Sequence, residues 1–211
     1  MNFAARDPRS EASDATLLVR VQAGDSESFA ELVRRYQPAL VRVARSRLGR
    51  DDWAEDVVQE TFLAAFRWCA HYDPRLNFRT WLWTILLNQC HHHYQRRQRS
   101  VPLESWPVER EVAGGSGAVG SEGSPLANLL AKERGEQLEL LLLELSVVQA
   151  DALRLRFFGG LKFQEIAEAM ECSLNTAKNR VRWGLMRLAE LLQSAGSKES
   201  ARDGAERERD E

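Results

Sequence analysis

The chain has 211 residues, 44% of them hydrophobic, and a formal net charge of −2, a size that suits one or two packed domains. Its three cysteines, Cys69, Cys90 and Cys172, lie far apart with no C-x-x-C pair, which excludes a disulfide framework and fits a reducing cytosol. No apolar run approaches a membrane span and no signal-peptide hydrophobic region is present, so a soluble, cytoplasmic protein with no membrane insertion is expected.

The near-neutral charge hides segregation. Cations concentrate at residues 34–50, 96–99 and 178–187, and acids at residues 51–60, 133–144 and in the tail. Such blocks suggest one polyanionic partner and another that is basic or mixed. Only Lys132, Lys162, Lys178 and Lys198 are lysine; the arginine bias favours bidentate phosphate and guanine contacts.

In chain order, a polar leader covers residues 1–13 and a first domain covers 14–99. A short helix near residues 15–22 stops at Ala23-Gly24. Asp25 is placed to cap a long helix that contains Pro38, where a kink is expected, and that ends at Gly49. Asp51-Asp52 opens a third helix running to about Ala70. Residues 71–77, with Asp73-Pro74, read as a turn, and helices resume over 78–87 and 89–99. Residues 100–125 contain GGSGAVGSEGSP and no periodicity, the composition of a flexible linker. Fully extended, about 25 residues reach roughly 80–90 Å. The second domain covers 126–193, with Ser146-Val-Val-Gln149 as a capping box, and 194–211 is expected to be a disordered charged tail. The predicted fold is all-α: two small helical domains joined by a flexible linker.

Residues 159–192 carry the clearest motif. Phe163, Ile166, Ala167 and Met170 form one stripe of a helix. Glu171-Cys172-Ser173 interrupts it, and Ser173 is placed to cap a second helix. There Leu174, Ala177, Val181, Leu185, Leu188 and Leu192 are expected on one side. Thr176, Asn179, Arg180, Trp183 and Arg187 are expected opposite, with Lys178 and Arg182 on a flank. No acid lies between Cys172 and Ala189. An apolar seam backed by an acid-free, arginine-rich face suits a helix lying in a DNA major groove.

Two further surfaces stand out in the first domain. On the third helix, Ala54, Val57, Val58, Thr61, Ala64, Ala65 and Trp68 are expected to face inward. Glu55, Asp56, Gln59, Glu60 and Leu63 then form an acidic strip beside an exposed leucine, fit for a basic partner helix. In residues 78–99, Phe78, Trp81, Leu82, Ile85 and Leu86 are expected in the core, with Trp83 on the other side. Trp83 leads into Asn88, His91, His92, His93, Tyr94, Arg96, Arg97 and Arg99. Rings, amides and arginines in this mixture suit unstacked single-stranded bases. A metal site built from Cys90 and the histidines is disfavoured, because consecutive helical residues point about 100° apart; no cofactor is expected.

Residues 54–63 (AEDVVQETFL), Phe78-Arg-Thr-Trp-Leu-Trp83 with the Asn88 and arginine run, and residues 145–192 together resemble the extracytoplasmic-function (ECF) sigma factors of the sigma-70 family. They are similar to that family's regions 2.2, 2.3 with 2.4, and 4, in that order. The resemblance implies an alternative sigma factor, not an enzyme, that binds core RNA polymerase and promoter DNA. By it, Glu55, Asp56, Gln59, Glu60 and Leu63 would dock on the β′ clamp helices, and region 4 would reach the β flap. Trp83, Asn88, His92, Arg96 and Arg97 would melt the −10 element and capture a flipped base. Asn175, Thr176, Lys178, Asn179, Arg180 and Arg182 would contact the −35 element. An anti-sigma factor is a partner compatible with the family. Lys162 stands where the family often has Ser or Thr, and the histidine run departs from its pattern. The rival reading is a helix-turn-helix regulator acting without polymerase; a metal-dependent nuclease lacks converging ligands.

Overall fold

The computed structural model of the chain describes the backbone of residues 12–100 and 125–207 and the side chains of residues 12–96, 133–135 and 137–194. The greater part of the polar leader, the glycine-rich tether and the last four residues lie outside these limits. Every regular element among the described residues is an α-helix. One compact unit holds α1 (Asp14–Gln22), α2 (Ser26–Leu48), α3 (Asp51–Cys69) and α4 (Phe78–Ser100). The other holds α5 (Pro125–Leu143), α6 (Val147–Phe157), α7 (Phe163–Ala169) and α8 (Leu174–Arg207).

The helix boundaries follow local chemistry. Ser13 Oγ accepts from Thr16 N at 3.2 Å at the start of α1. The Asp25 carboxylate accepts from the backbone N–H groups of Glu27 and Ser28 at the start of α2. Both satisfy donors that the first turn leaves unpaired. Gly49 ends α2 with φ 74°, a left-handed conformation that glycine adopts without a Cβ penalty. Asp51 and Asp52 then sit in the first turn of α3, where the helix dipole favours them. Pro38 lies inside α2 without ending it.

Four expectations are corrected here. Residues 78–100 form one helix, not two with a break before Gln89. Ser146 occupies the N-cap of α6 with extended backbone, yet its hydroxyl makes no capping hydrogen bond. The backbone of the tail remains helical to Arg207, where Ala, Glu, Lys and Arg are good helix formers. Trp68, expected inside, is 63% exposed, and Phe62 and Cys69 take the inward positions on α3.

The N-terminal core gathers Leu17 and Leu18 of α1, Leu32, Leu40, Val43 and Ala44 of α2, Ala54, Val57 and Val58 of α3, and Leu82, Trp83 and Leu86 of α4. Polar clamps tie α1 to α2. Arg35 Nη1 donates to Asp14 at 3.0 Å, and the Tyr36 hydroxyl donates to the same carboxylate. Glu31 accepts from Arg34 Nε and Arg35 Nε, each at 3.0 Å, and these guanidinium bonds hold its carboxyl below the ordinary range.

In the C-terminal unit, residues 150–155 of α6 are all buried, including Asp151 and Arg154, which pair at 3.2 Å. Leu161, Ile166, Ala167, Ala177, Val181 and Leu188 complete that core. Between α7 and α8 the Cys172 N–H reaches Ala167 O at 2.8 Å and the Glu171 N–H reaches Glu168 O at 3.1 Å. This is a Schellman closure, with Glu171 at φ 49° where glycine is usual. Lys162 does not leave α7 uncapped: its backbone N–H donates to the Glu165 carboxylate at 2.7 Å, the acidic half of a capping box.

Close approach of α8 to α6 depends on Gly184. A Cβ there would lie 2.9 Å from Leu153 Cδ1 and 3.4 Å from Leu145 Cδ2. Gly184→Val should therefore lower the stability of the C-terminal unit by about 1–3 kcal/mol through overpacking, read by urea unfolding; an unchanged midpoint would contradict the packing. The depressed Glu31 carboxyl sets a second expectation. A group whose folded pKa lies below its unfolded value stabilises above the unfolded pKa and loses that contribution as pH falls through the folded one. The acid limb of a Tm-versus-pH curve should flatten in Glu31→Gln relative to the parent below about pH 5, and parallel curves would refute it.

Candidate nucleic-acid interface

The rotation of α4 decides what this unit presents to solvent. Phe78, Leu82, Leu86 and Cys90 recur every fourth residue and are at most 2% exposed, with Trp83 at 0% between them. Trp83 is thus a core residue, and its expected place on the DNA-facing side is overturned. The Trp83 indole is enclosed together with Leu82, Leu86 and Cys90 as one continuous buried stripe, while Trp81 and Ile85 stay half-buried. Cys90 behaves as a small apolar residue, as buried thiols commonly do. Counting it as apolar extends the stripe one turn and turns Trp81 and Ile85 outward.

That outward face of α4 forms one wall of an open groove of about 460 Å³. Trp81, Ile85, Asn88, Gln89 and His92 come from α4. Ala64 and Trp68 of α3, with His71 and Tyr72 of the following turn, make the other wall. Tyr72 and Trp81 stack at 4.5 Å between centroids, 29° apart, and Trp68 meets His71 edge-on at 6.4 Å. Tyr72 is nine-tenths buried, and its hydroxyl has no hydrogen-bond partner among the described residues. Burial, then the Asp73 charge, pushes its pKa up to about 12, so it remains a phenol at any physiological pH.

The turn carrying His71 and Tyr72 is held from a distance. Gln22 Nε2, at the end of α1, donates to Cys69 O at 2.9 Å and to Tyr72 O at 2.7 Å. Backbone bonds from His71 to Trp68 (3.0 Å) and from Tyr72 to Cys69 (3.1 Å) tighten it further. Asn88 and His92, both expected to contact DNA, are exposed on this open face. Trp81, Gln89, Trp68, His71 and Tyr72 line the same groove without having been expected there. The fourth-residue recurrence that includes Cys90 points to Trp81 alone, and no local pattern points to Trp68, His71 or Tyr72.

A second groove, of about 380 Å³, adjoins the first and shares Gln89 and His92 with it. Its rim carries Glu60 of α3 and Arg96 of α4, paired at 2.9 Å. Two residues expected to serve different partners are therefore bonded to each other. Glu55, Asp56, Gln59 and Leu63 lie exposed on α3 as expected, and Glu60 is half-buried. Phe66, 50% exposed, extends the apolar end of this strip. The side chain of Arg97 lies outside the described residues.

On α8 the buried seam is Ala177, Val181, Gly184 and Leu188. Leu174, Leu185 and Leu192, expected in it, are 38%, 44% and 56% exposed, because Gly184 brings the axis so close to α6 that the seam narrows. Asn175, Lys178, Asn179, Arg182 and Trp183 are exposed, joined by Met186; Thr176 and Arg180 are half-buried. Ser173 caps the helix as expected, accepting from Thr176 N at 3.1 Å, with the two hydroxyls 2.8 Å apart.

The two tryptophans of α4 give a direct check. Trp83→Ala should cost about 3–5 kcal/mol of stability in urea unfolding, and Trp81→Ala less than half of that. Equal losses would show the helix to be rotated otherwise.

Residues 32–100 match the family described as Sigma-70 region 2, and residues 135–188 match Sigma-70, region 4. The RNA polymerase sigma-H factor of Pseudomonas aeruginosa is 31% identical over 169 residues, covering 80% of this chain and 88% of that protein. The ECF RNA polymerase sigma-E factor of Escherichia coli strain K12 is 31% identical over 171 residues, with the same coverage of 80% and 88%. A solved structure of the sigma factor RpoE in complex with the anti-sigma factor NepR, from Bartonella quintana, matches with a TM-score of 0.60 at 27% identity, covering 79% of this chain and 98% of that one. With two helical units in this order and relatives that span most of its length, the chain belongs to the ECF sigma factors of the sigma-70 family.

Proposed function

We propose that the groove between α3 and α4 is where this sigma factor holds unstacked bases of the promoter −10 element. The observation that carries the reading is the groove itself: stacked Tyr72 and Trp81, the unpartnered Tyr72 hydroxyl, and Asn88, Gln89 and His92 on one open face. Aromatic faces stack on any base, and amides read base edges. Unstacking a base costs a few kcal/mol, which a preformed aromatic slot offsets.

The strip of Glu55, Asp56, Gln59 and Leu63, extended by Phe66, is the docking face for core RNA polymerase. Its acids suit the basic flank of a clamp helix, and its apolar end suits a buried anchor. Glu60 belongs to the same strip but is also the partner of Arg96. On α8, Asn175, Lys178, Asn179 and Arg182 form the surface for the −35 duplex, with Thr176 and Arg180 at its edge. Trp183 and Met186 add apolar area that suits thymine methyl groups. Together these make a transcription initiation factor that acts inside the cell and performs no chemistry of its own. No helix among the described residues is long and apolar enough to cross a membrane. The match to a sigma factor solved with an anti-sigma factor supports control by such a partner.

Co-purification with core polymerase and permanganate footprinting of the promoter complex test the two surfaces separately. Asp56→Arg should abolish co-purification with core polymerase. Asn88→Ala should leave co-purification and closed-complex formation intact and reduce permanganate reactivity of the −10 thymines roughly tenfold, the scale of one lost base contact. Loss of closed complex in equal measure would remove Asn88 from base capture.

A further inference from the structure

Among the described residues, the lining of the groove assigned to single-stranded DNA contains no lysine, arginine, aspartate or glutamate: it is aromatic, aliphatic, amide and imidazole. A single strand laid along Tyr72 and Trp81 brings its phosphates with it, and single-strand grooves ordinarily meet them with fixed cations. Among the described residues of the lining, the side chains able to carry positive charge are His71, in the turn after α3, and His92, on α4. They stand on opposite walls, and both are exposed.

The charged groups around them are few. Beside His92 lie Arg96 of α4 and Glu60 of α3, already paired with each other at 2.9 Å, and the ring of His91 at 6.2 Å. Beside Tyr72 lies Asp73, which is engaged by Arg75 at 2.8 Å. No unpaired acid among these groups stands ready to absorb an imidazolium charge, so protonation changes the charge of the groove itself.

We infer that His71 and His92 act as a pair of phosphodiester ligands for the captured single strand, so that strand capture by this sigma factor strengthens as they take up protons. The inference rests on the assignment of the groove to single-stranded DNA. An imidazole changes charge between about pH 8 and about pH 5, and an imidazolium N–H bonds a phosphate oxygen more strongly than a neutral ring does.

The test uses the full chain assembled with core RNA polymerase and a fluorescent single-stranded oligodeoxynucleotide of −10 non-template sequence, with core polymerase alone as the blank. Binding should be about tenfold tighter at about pH 6 than at about pH 8. The slope of log affinity against log salt should steepen by about 1.4, for two neutralised phosphates on a single strand. The ratio between the two pH values should collapse in the His71→Gln/His92→Gln pair variant. In His92→Lys, a surface change that fixes one charge and leaves His71 to titrate, the ratio should fall to about threefold, and a probe carrying neutral methylphosphonate linkages should abolish it. An equal pH ratio in parent and variants, with the probe still bound, overturns the histidine pair and leaves the base-capture assignment standing. No binding of the probe above the blank at either pH overturns both.

Discussion

Burial of the Leu82–Trp83–Leu86–Cys90 seam against α2 and α3 fixes the rotation of α4, and the properties of the groove follow from that rotation. Trp81 carries an equal indole, so size alone does not choose between them. Trp83 enters because Leu82, Leu86 and Cys90 go inside with it and together fill the space offered by α2 and α3. With Trp83 inside, Trp81, Ile85, Asn88 and His92 must face out, about 100° per residue around the axis. Trp81 then meets Tyr72, and the two rings form one slot.

The same seam links distant parts of the unit. The wall opposite α4 is a turn whose carbonyls are held by Gln22, so the end of α1 positions Tyr72 and His71. The α1 helix is itself clamped to α2 through Asp14, Arg35 and Tyr36. The groove therefore rests on polar contacts of segments far away in sequence. The acidic strip on α3 shares that scaffold, and the Glu60–Arg96 pair ties its edge to the groove. The acidic strip and the aromatic groove consequently lie on adjoining faces of two helices packed against one another.

The C-terminal unit solves a different problem. A reading helix needs a narrow buried seam so that most of its circumference stays free for DNA. Small Ala177 and Gly184 let α8 approach α6 closely, which confines the seam and exposes Leu174 and Leu185 at its margins. The turn before α8 is closed by backbone bonds with Glu171 in a left-handed conformation, and Ser173 caps the helix. A sigma factor with separate units on a tether needs only moderate affinity from each, since binding of one raises the effective concentration of the other.

Although the continuity of α4 through Gln89 is not legible in the sequence by itself, most helices, their caps at Ser173 and Asp25, the two helical regions, the exposed acids of α3 and the family are. All of these follow from local rules: a 3.6-residue period, side-chain caps within three residues, and contiguous motifs. Only the tertiary structure decided which tryptophan of the Trp81-Leu82-Trp83 triplet enters the core. Both placements satisfy a helical stripe, and the choice depends on the shape of the cavity offered by α2 and α3. It likewise decided that Trp68 stays outside, that Gly184 sets the α6–α8 distance, and that His71 joins His92 across a groove. Each depends on residues far apart in the chain, for which a periodicity carries no information.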